Sequence, residues 1–397
     1  MKLHASKKTV VISSFVLFIT ATQFYQCKTT KADTRNTSDM SGDPNDFNDA
    51  IEKNMKEMFD KGKAVFRFET FGDEAFWTDQ LQLQKAIADS KHGGIGKGIT
   101  PKEAVAAGLK VDLAVLPKFL RRKIKQGKFL DDPWVTLQLI KINAVLGVVG
   151  KFDGDGNLKS IGLTCASCHS TVSDSSGIGK RLDGWANRDL NVGAIISMAP
   201  NLDPIAKLLD VDVATVKKVL ASWGPGMFDA ELNLDGKAFR PDGKSAATLI
   251  PEAFGHAGHN LHTWTGGWGN VTYWNAYVAN LELQGQGQFY DPRLMNKDQY
   301  PVAAKAGFGN KRSDTDYVSS KLAALQFYQL AIPPPEPPKD SYNEEAAARG
   351  RILFSGKRSA RLVMFRHFLR NQAGVHISRM KFVSMIFSPI VHLIKVM

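Results

Sequence analysis

Two cysteines and a histidine lie together near the middle of this chain, in the segment Thr164–His169 with the sequence TCASCH. The chain has 397 residues but only three cysteines, so this pair constrains the fold more than any other feature. Two thiols separated by two residues and followed by a histidine are the pattern by which a protein bonds covalently to the vinyl groups of a haem. The motif therefore predicts haem c held by Cys165 and Cys168, with His169 as the proximal iron ligand.

Other uses of paired cysteines fit this sequence less well. A structural zinc site requires four ligands, usually as two paired clusters, and the only other cysteine is Cys27, near the N-terminus. A thioredoxin-like redox motif needs a strand–helix setting and does not require the histidine. Covalent haem attachment is the interpretation that uses all three side chains of the motif.

The N-terminal residues have the composition of an export signal. A charged start is followed by an apolar stretch at residues 9–20 (TVVISSFVLFIT), which is too short to span a bilayer. We expect residues 1–27 to be a signal peptide and the protein to be exported or periplasmic, in agreement with haem attachment outside the cytoplasm of bacteria. Cys27 leaves open a lipid-anchored protein, although Gln26 stands where a small residue is expected.

The distribution of charge argues against a nucleic-acid partner. The formal net charge is +12, but residues 357–397 contain eight Lys and Arg and no acidic residue. The other 356 residues therefore carry only +4. They contain no basic stripe interleaved with aromatic residues, which is the usual footprint of nucleic-acid binding.

Apolar spacing and capping residues predict a mainly α-helical chain. The predicted helices lie at about 46–60, from Thr100 onward, and at 117–125, 132–148, 203–209, 213–223 and 319–330. Thr100 with Glu103 can form the capping box of the second of these helices. The Asp-Gly pairs in 151–158 predict a β-hairpin. The same residues begin like a calcium loop, but Leu158 stands where that loop needs glycine. The aromatic segment Val65–Trp77 either covers a flat cofactor or forms part of an ordinary hydrophobic core.

Several stretches resemble a known family. The haem motif, the long loops after it and the stretch Ala331–Pro338 (AIPPPEPP) resemble periplasmic di-haem c-type cytochromes of the bacterial cytochrome c peroxidase group. So does Glu344–Lys357 (EEAAARGRILFSGK), which is similar to the first helix of a cytochrome c domain, and Ser341 with Glu344 can form its capping box. The resemblance covers roughly residues 60–357. It implies a cytochrome c-like haem domain with long loop insertions and a small β-hairpin.

These features together predict the organisation of the whole chain. In order, we expect a signal peptide at 1–27, a disordered leader at 28–45, a cytochrome c-like haem domain with a helical N-terminal part at 46–330, a proline-rich linker at 331–340, the first helix of a truncated second cytochrome c domain at 341–357, and a frameshifted tail at 358–397.

The sequence leaves the distal iron ligand open. His262 ranks first, because it lies in the aromatic, glycine-rich stretch 254–283, which can approach a flat ring closely. Met227 ranks second, at a spacing from His169 like that in small single-haem cytochromes. A methionine ligand would raise the reduction potential and a histidine would lower it, and a vacant position is also allowed. The remaining candidates are Met198, His256 and His259.

Two functions from different classes follow from this reading. The first is an electron-transfer cytochrome that exchanges electrons with a redox partner protein, and the single haem motif favours it. The alternative is a di-haem peroxidase-like or oxygenase-like enzyme, here truncated. Arginines after the motif, Arg181 and Arg188, can neutralise haem propionates or form ion pairs with Asp183 and Asp189.

The tail from Arg358 is predicted to be a frameshift product, since acidic residues stop abruptly at Lys357 and no haem motif follows the capped helix. Synonymous codons for Ser359–Ala373 can be chosen that encode CASCHVPPFLTEPG when they are read from the third base, so the tail is compatible with a haem motif one frame away. A membrane-surface tail is the competing reading. Sequencing the coding DNA around codon 357 tests the prediction. Different codons, or a stop before the shifted motif, would contradict it.

Overall fold

The computed structural model describes residues 44–259, 261–263, 266–338 and 340–355. The predictions for the signal peptide, Cys27, the greater part of the leader and the tail from Arg358 lie outside these residues. The chain divides into two compact units, one up to residue 55 and one from residue 56 onward. Residues 44–55 of the first unit form the beginning of a helix, and every site discussed below belongs to the second unit.

Helices form most of the regular structure, as the sequence predicts. The α-helices are α1 (Pro44–Phe68), α2 (Leu83–Ile87), α3 (Pro101–Ala106), α4 (Lys118–Lys125), α5 (Pro133–Lys141), α6 (Ala166–His169), α7 (Val192–Ser197), α8 (Asp203–Leu209), α9 (Val213–Ala221), α10 (Leu232–Asp235), α11 (Val271–Tyr277), α12 (Pro301–Ala306), α13 (Leu322–Ala331) and α14 (Glu344–Ser355). Segments Ala75–Gln80 and Val278–Glu282 are π-helical, and Ser90–His92, Leu113–Val115, Pro292–Met295 and Ser319–Lys321 are 3-10 turns.

The strands are short and pair two by two. They are β1 (Val111–Asp112), β2 (Val148–Phe152), β3 (Leu158–Leu163), β4 (Ser170–Val172), β5 (Ile178–Gly179), β6 (Arg181–Asp183), β7 (Met227–Phe228), β8 (Thr248–Leu249), β9 (Gln288–Tyr290) and β10 (Asn310–Arg312). The pair β1–β5 is parallel, whereas β2–β3, β4–β6, β7–β8 and β9–β10 are antiparallel.

The predicted hairpin at 151–158 is the turn between β2 and β3. One carboxylate oxygen of Asp153 accepts hydrogen bonds from the backbone N–H groups of Asp155 (3.1 Å) and Asn157 (2.8 Å). An aspartate that folds its side chain onto the backbone two residues ahead is a turn-forming device. The hairpin prediction is therefore confirmed, and this carboxylate is engaged in the turn rather than presented as a calcium ligand.

Several predicted helices are present with different ends. Thr100 and Glu103 form the expected capping box of α3. The first helix begins at Pro44 and runs to Phe68, so it is longer than predicted and includes two residues assigned to the leader.

The prediction of one helix over 132–148 is wrong at its C-terminal end. Helix α5 ends at Lys141, because Asn143 takes a left-handed conformation (φ 55°) and Val148 begins β2.

The expected capping box of α14 is also wrong. Its cap is Asn343, whose side-chain oxygen accepts the N–H of Ala346 at 2.7 Å, rather than Ser341. Asparagine is among the strongest N-capping residues, and here it lies next to the first helical residue.

Two parts of the core position the cysteine motif. The second half of α1 packs on α13, and Gly62 makes this approach so close that a Cβ there would lie 1.9 Å from the carbonyl oxygen of Ala324. Phe66 and Phe71, from the aromatic segment, belong to the buried cluster that also contains Ala166. Trp77 lies in a second buried cluster, so the aromatic segment is largely ordinary core.

Among residues 44–259, 261–263, 266–338 and 340–355, none of the helices combines the length and the apolar character needed to cross a bilayer.

Candidate cofactor site

The cysteine motif forms the short helix α6, which is hydrogen-bonded to the turn before β2. The carbonyl oxygen of Gly147 accepts hydrogen bonds from the backbone N–H of Thr164 (3.0 Å) and from the hydroxyl of Ser167 (2.8 Å). Gly147 has φ +75°, and a Cβ there would lie 2.1 Å from the backbone nitrogen of Ser167. Only glycine satisfies both conditions, so this residue lets the turn and the motif meet.

The other end of the motif is held by residues 184–187, which follow β6. The N–H of Gly184 donates to the carbonyl of His169 (2.8 Å), and the N–H of Asn187 donates to the carbonyl of Cys168 (2.8 Å). The side-chain amide of Asn187 donates to the carbonyl of Ser167 at 3.3 Å. The carbonyls at the end of α6 thus obtain the partners that a helix terminus lacks.

Asp183 connects this region to two distant helices. Its carboxylate accepts hydrogen bonds from Arg67 Nε of α1 (2.5 Å), Tyr328 Oη of α13 (2.6 Å) and Ser170 Oγ (2.8 Å). Arg181 Nε lies 3.5 Å from the same carboxylate. Burial and the adjacent Asp183 carboxylate raise the pKa of Tyr328 well above its ordinary value, so its phenol stays a donor.

The arginines after the motif take part in ion pairs, which is one of the two roles the sequence left open. Arg181 pairs with Asp183. Arg188 pairs with Glu252 and not with Asp189, and its Nη2 lies 2.8 Å from Oε1 of Glu252. Asp189 pairs with the buried Lys110.

His169 is held in one tautomer by a backbone carbonyl. Its Nδ1 lies 3.0 Å from the oxygen of Pro251, and because a carbonyl only accepts, Nδ1 must carry the hydrogen. Nε2 therefore keeps its lone pair. Burial lowers the pKa of His169 to about 4, so the ring is neutral near pH 7. A neutral imidazole with one nitrogen held by a hydrogen bond is the form that ligates metals.

A cavity of about 1200 Å³ opens beside the motif, and Cys165, Cys168 and His169 all line it. It is larger than the usual small-molecule site of about 300–1,000 Å³. Much of its wall is aliphatic or aromatic, for example Leu190, Ile195, Ile250, Phe228 and Trp274. Both cysteines are free thiols, and burial raises the pKa of each to about 12.

Three of the candidate distal ligands share this cavity with His169, namely His256, His259 and His262. The rings of His256 and His262 are nearly perpendicular, with centroids 5.0 Å apart. Nε2 of His262 is buried and has no hydrogen-bond partner among the described residues. Burial and the neighbouring histidines lower the pKa of His262 to about 4.

The two methionine candidates are placed differently. Met198 lines the cavity. Met227 lies in β7 and packs against the buried cluster that includes Trp223, and it is not among the lining residues described. The structure therefore brings His262 and Met198 to the cavity with His169, and it does not bring Met227 there.

Two of the acidic residues that line the cavity, Glu282 and Asp229, each have a buried carboxylate oxygen, and the sequence analysis missed both. Glu282 ends the π-helix Val278–Glu282, and one of its carboxylate oxygens is buried without a partner among the described residues. Asp229 has a similarly unpartnered oxygen. Burial raises the pKa of Glu282 to about 8 and that of Asp229 to about 6. Glu282 is the single acidic residue of its segment, whereas Asp229 lies close to Glu231 and Asp235 in the sequence, and nothing in the sequence shows that the two segments meet.

Within the described ranges, no group of three or more His, Cys, Asp or Glu side chains is arranged to hold a metal ion by itself. Comparison with known proteins found no matching family model, no matching curated protein and no matching solved structure. The functional assignment therefore depends on the chemistry of the cavity and its lining residues.

Glu282→Gln is expected to stabilise the protein at pH 8 and to change little at pH 5. The pKa of Glu282 rises from its ordinary value of 4.5 to about 8 on folding. Between these values the folded state binds more protons than the unfolded state, so stability falls as the pH rises. We expect a gain of roughly 1–3 kcal/mol in the free energy of unfolding at pH 8, measured by urea titration. Glu336→Gln, at an exposed position, is the control. An equal effect of Glu282→Gln at both pH values would contradict the prediction.

Proposed function

We propose that this protein is a c-type cytochrome that binds haem through Cys165 and Cys168, with His169 as the proximal iron ligand, and transfers electrons. The observation that carries the proposal is the meeting of these three side chains on one large cavity, with His169 Nδ1 donating to the carbonyl of Pro251. This hydrogen bond leaves Nε2 available as a ligand atom, which the chemistry of an axial histidine requires.

The residues present suit the proposed cofactor in three respects. Two thiols lie on the cavity wall next to the imidazole, as thioether attachment requires. The imidazole is neutral, because burial lowers its pKa. The aliphatic and aromatic lining excludes water from a flat apolar ring and keeps the local dielectric low. When bound, the haem supplies reversible one-electron exchange at its iron.

The finer parts of the expected architecture belong to the same proposal. We infer a cytochrome c-like haem domain with long loop insertions in an exported or periplasmic protein that gives electrons to, or takes them from, a redox partner protein. Lipid anchoring through Cys27 and a lost second haem domain remain proposals of the same kind. The first rests on the N-terminal sequence, and the second rests on the resemblance described above.

A second candidate function is a peroxidase-like or oxygenase-like haem enzyme. The specific observation in its favour is the pair of carboxyl groups, Glu282 and Asp229, that line the cavity together with His262. A carboxyl group whose pKa is raised to about 8 holds a proton near neutral pH and can give it to a bound molecule. This function requires an iron with one open coordination position, so the state of the distal ligand distinguishes the two candidates.

The protein exported from cells with an intact haem-attachment machinery is expected to carry a haem adduct on the peptide containing Cys165 and Cys168. Both thiols face the cavity and no other cysteine is near them in the sequence. Mass spectrometry of the peptide and the pyridine haemochrome spectrum measure the adduct and the number of haems. The same gene in cells without that machinery is the control. An unmodified peptide from competent cells would disprove covalent attachment.

His262→Ala is expected to shift the spectrum of the reduced haem and to open the iron to carbon monoxide. Its Nε2 lies on the cavity without a hydrogen-bond partner among the described residues, so it is available for ligation. Met227→Ala is the control, because Met227 packs in the core. If His262→Ala leaves both properties unchanged while Met198→Ala or Met227→Ala alters them, a methionine is the distal ligand.

A further inference from the structure

One surface segment concentrates positive charge on this protein. Residues 113–130 contain no acidic residue, and within them lie Lys118, Arg121, Arg122, Lys123, Lys125 and Lys128. The formal net charge of residues 44–356 is only +1, so the remainder of that part of the chain is net negative. Within residues 44–356, a local cluster of cations on an otherwise net negative part of the chain gives that part a charge asymmetry, which orients approaching charged partners.

The conformation of this segment presents its charges to solvent. Helix α4 turns Ile124, which is only 2% exposed, toward the core. Lys118, Arg122, Lys125 and Lys128 are exposed, and none of these four forms an ion pair with another described residue. We call this surface of α4 and the following turn the basic face.

The basic face also contains an apolar centre. Phe119 is 59% exposed and lies between Lys118 and Lys123, with the ammonium of Lys123 5.8 Å from its ring centroid. Arg121 is not free for a partner, because it donates to the backbone carbonyls of Ala114 and Leu116 at 3.2 Å each. An exposed aromatic ring next to a lysine, in a segment with further exposed cations, has the composition of a protein docking site with an apolar core and a charged rim.

This face lies one packing layer from the cavity. The inward residues of α4, Leu120 and Ile124, pack in the hydrophobic cluster that contains Ile140, Val145 and Val148. Those last three residues line the cavity beside the cysteine motif. The hydrophobic cluster therefore includes residues of α4 and residues of the cavity wall, and it links the two.

On the basis of the proposed function, we propose that the basic face docks an acidic protein that exchanges electrons with the haem. One electron passes between the two proteins, so that the iron is oxidised as the acceptor centre of the partner is reduced, or the reverse. Charge complementarity selects this partner and steers its approach. Val115, Phe119 and Phe129 are also exposed on this segment, so a membrane surface is the competing partner, which the vesicle experiment below distinguishes.

The test compares Lys118→Glu/Arg122→Glu/Lys125→Glu with a control variant, Lys207→Glu/Lys217→Glu/Lys218→Glu. Both change the charge equally, and the control lysines are also exposed and lie in helices α8 and α9.

The dithionite-reduced protein is oxidised in a stopped-flow experiment by ferricyanide, an anion, and by tris(phenanthroline)cobalt(III), a cation. In the basic-face variant we expect the ferricyanide rate constant to fall roughly tenfold or more at low salt, and the cobalt rate constant to rise. The control variant should change each rate constant by less than about twofold, because its charges are not those that steer the oxidant.

A macromolecular probe completes the test. Poly-L-glutamate should slow the ferricyanide reaction of the unmodified protein and leave that of the basic-face variant unchanged. Equal rate constants for both variants would overturn the docking proposal, as would binding to phosphatidylglycerol vesicles without binding to poly-L-glutamate. Haem content, measured by pyridine haemochrome, is a separate readout. Absence of haem from the unmodified protein contradicts the proposed function, whereas full haem content with unchanged rates contradicts the docking proposal alone.

Discussion

The hydrogen bond between His169 Nδ1 and the carbonyl of Pro251 is the constraint on which the geometry of the site depends. It joins segments 82 positions apart in the sequence. Each side of it is fixed by further backbone contacts. Gly147 supports the motif from one side, and residues 184–187 hold it from the other. The N–H of Ala253, two residues after Pro251, donates to the carbonyl of Gly184 at 2.7 Å. Gly184 therefore contacts both sides of this hydrogen bond, namely the donor residue His169 and the segment that follows the acceptor residue Pro251.

Asp183 extends this arrangement into the rest of the molecule. Its buried carboxylate binds Arg67 of α1, Tyr328 of α13 and Ser170, the residue directly after the motif. A buried charge is tolerated only when it is paired and hydrogen-bonded, and the loss of one partner from such a group costs about 3–5 kcal/mol. The packing of α1 on α13, which Gly62 permits, and the position of the motif are thus stabilised by one carboxylate.

Features that depend on neighbouring residues were predicted from the sequence, whereas features that depend on distant contacts were not. The hairpin turn at Asp153 and the capping box of α3 are local, and both are confirmed. The end of α5 was not found, because the apolar residues on both sides of Asn143 continue the helical pattern, and the left-handed conformation of Asn143 becomes apparent only in the fold. At the site, the sequence indicated three ligand side chains. It did not indicate Pro251, Glu282 or Asp229, since nothing in their own segments shows that these segments meet at one cavity.

The burial of the two cysteine thiols has a consequence for the order in which the protein is made. A thiol with a pKa of about 12 has a thiolate fraction on the order of 10⁻⁵ at pH 7. The thiolate is the form that reacts with oxidants and with other thiols. The thiols of Cys165 and Cys168 in the folded chain are therefore expected to react slowly with oxidants and with other thiols near pH 7. The proposed attachment of haem is accordingly expected to be easier on the unfolded chain, where each thiol has its ordinary pKa.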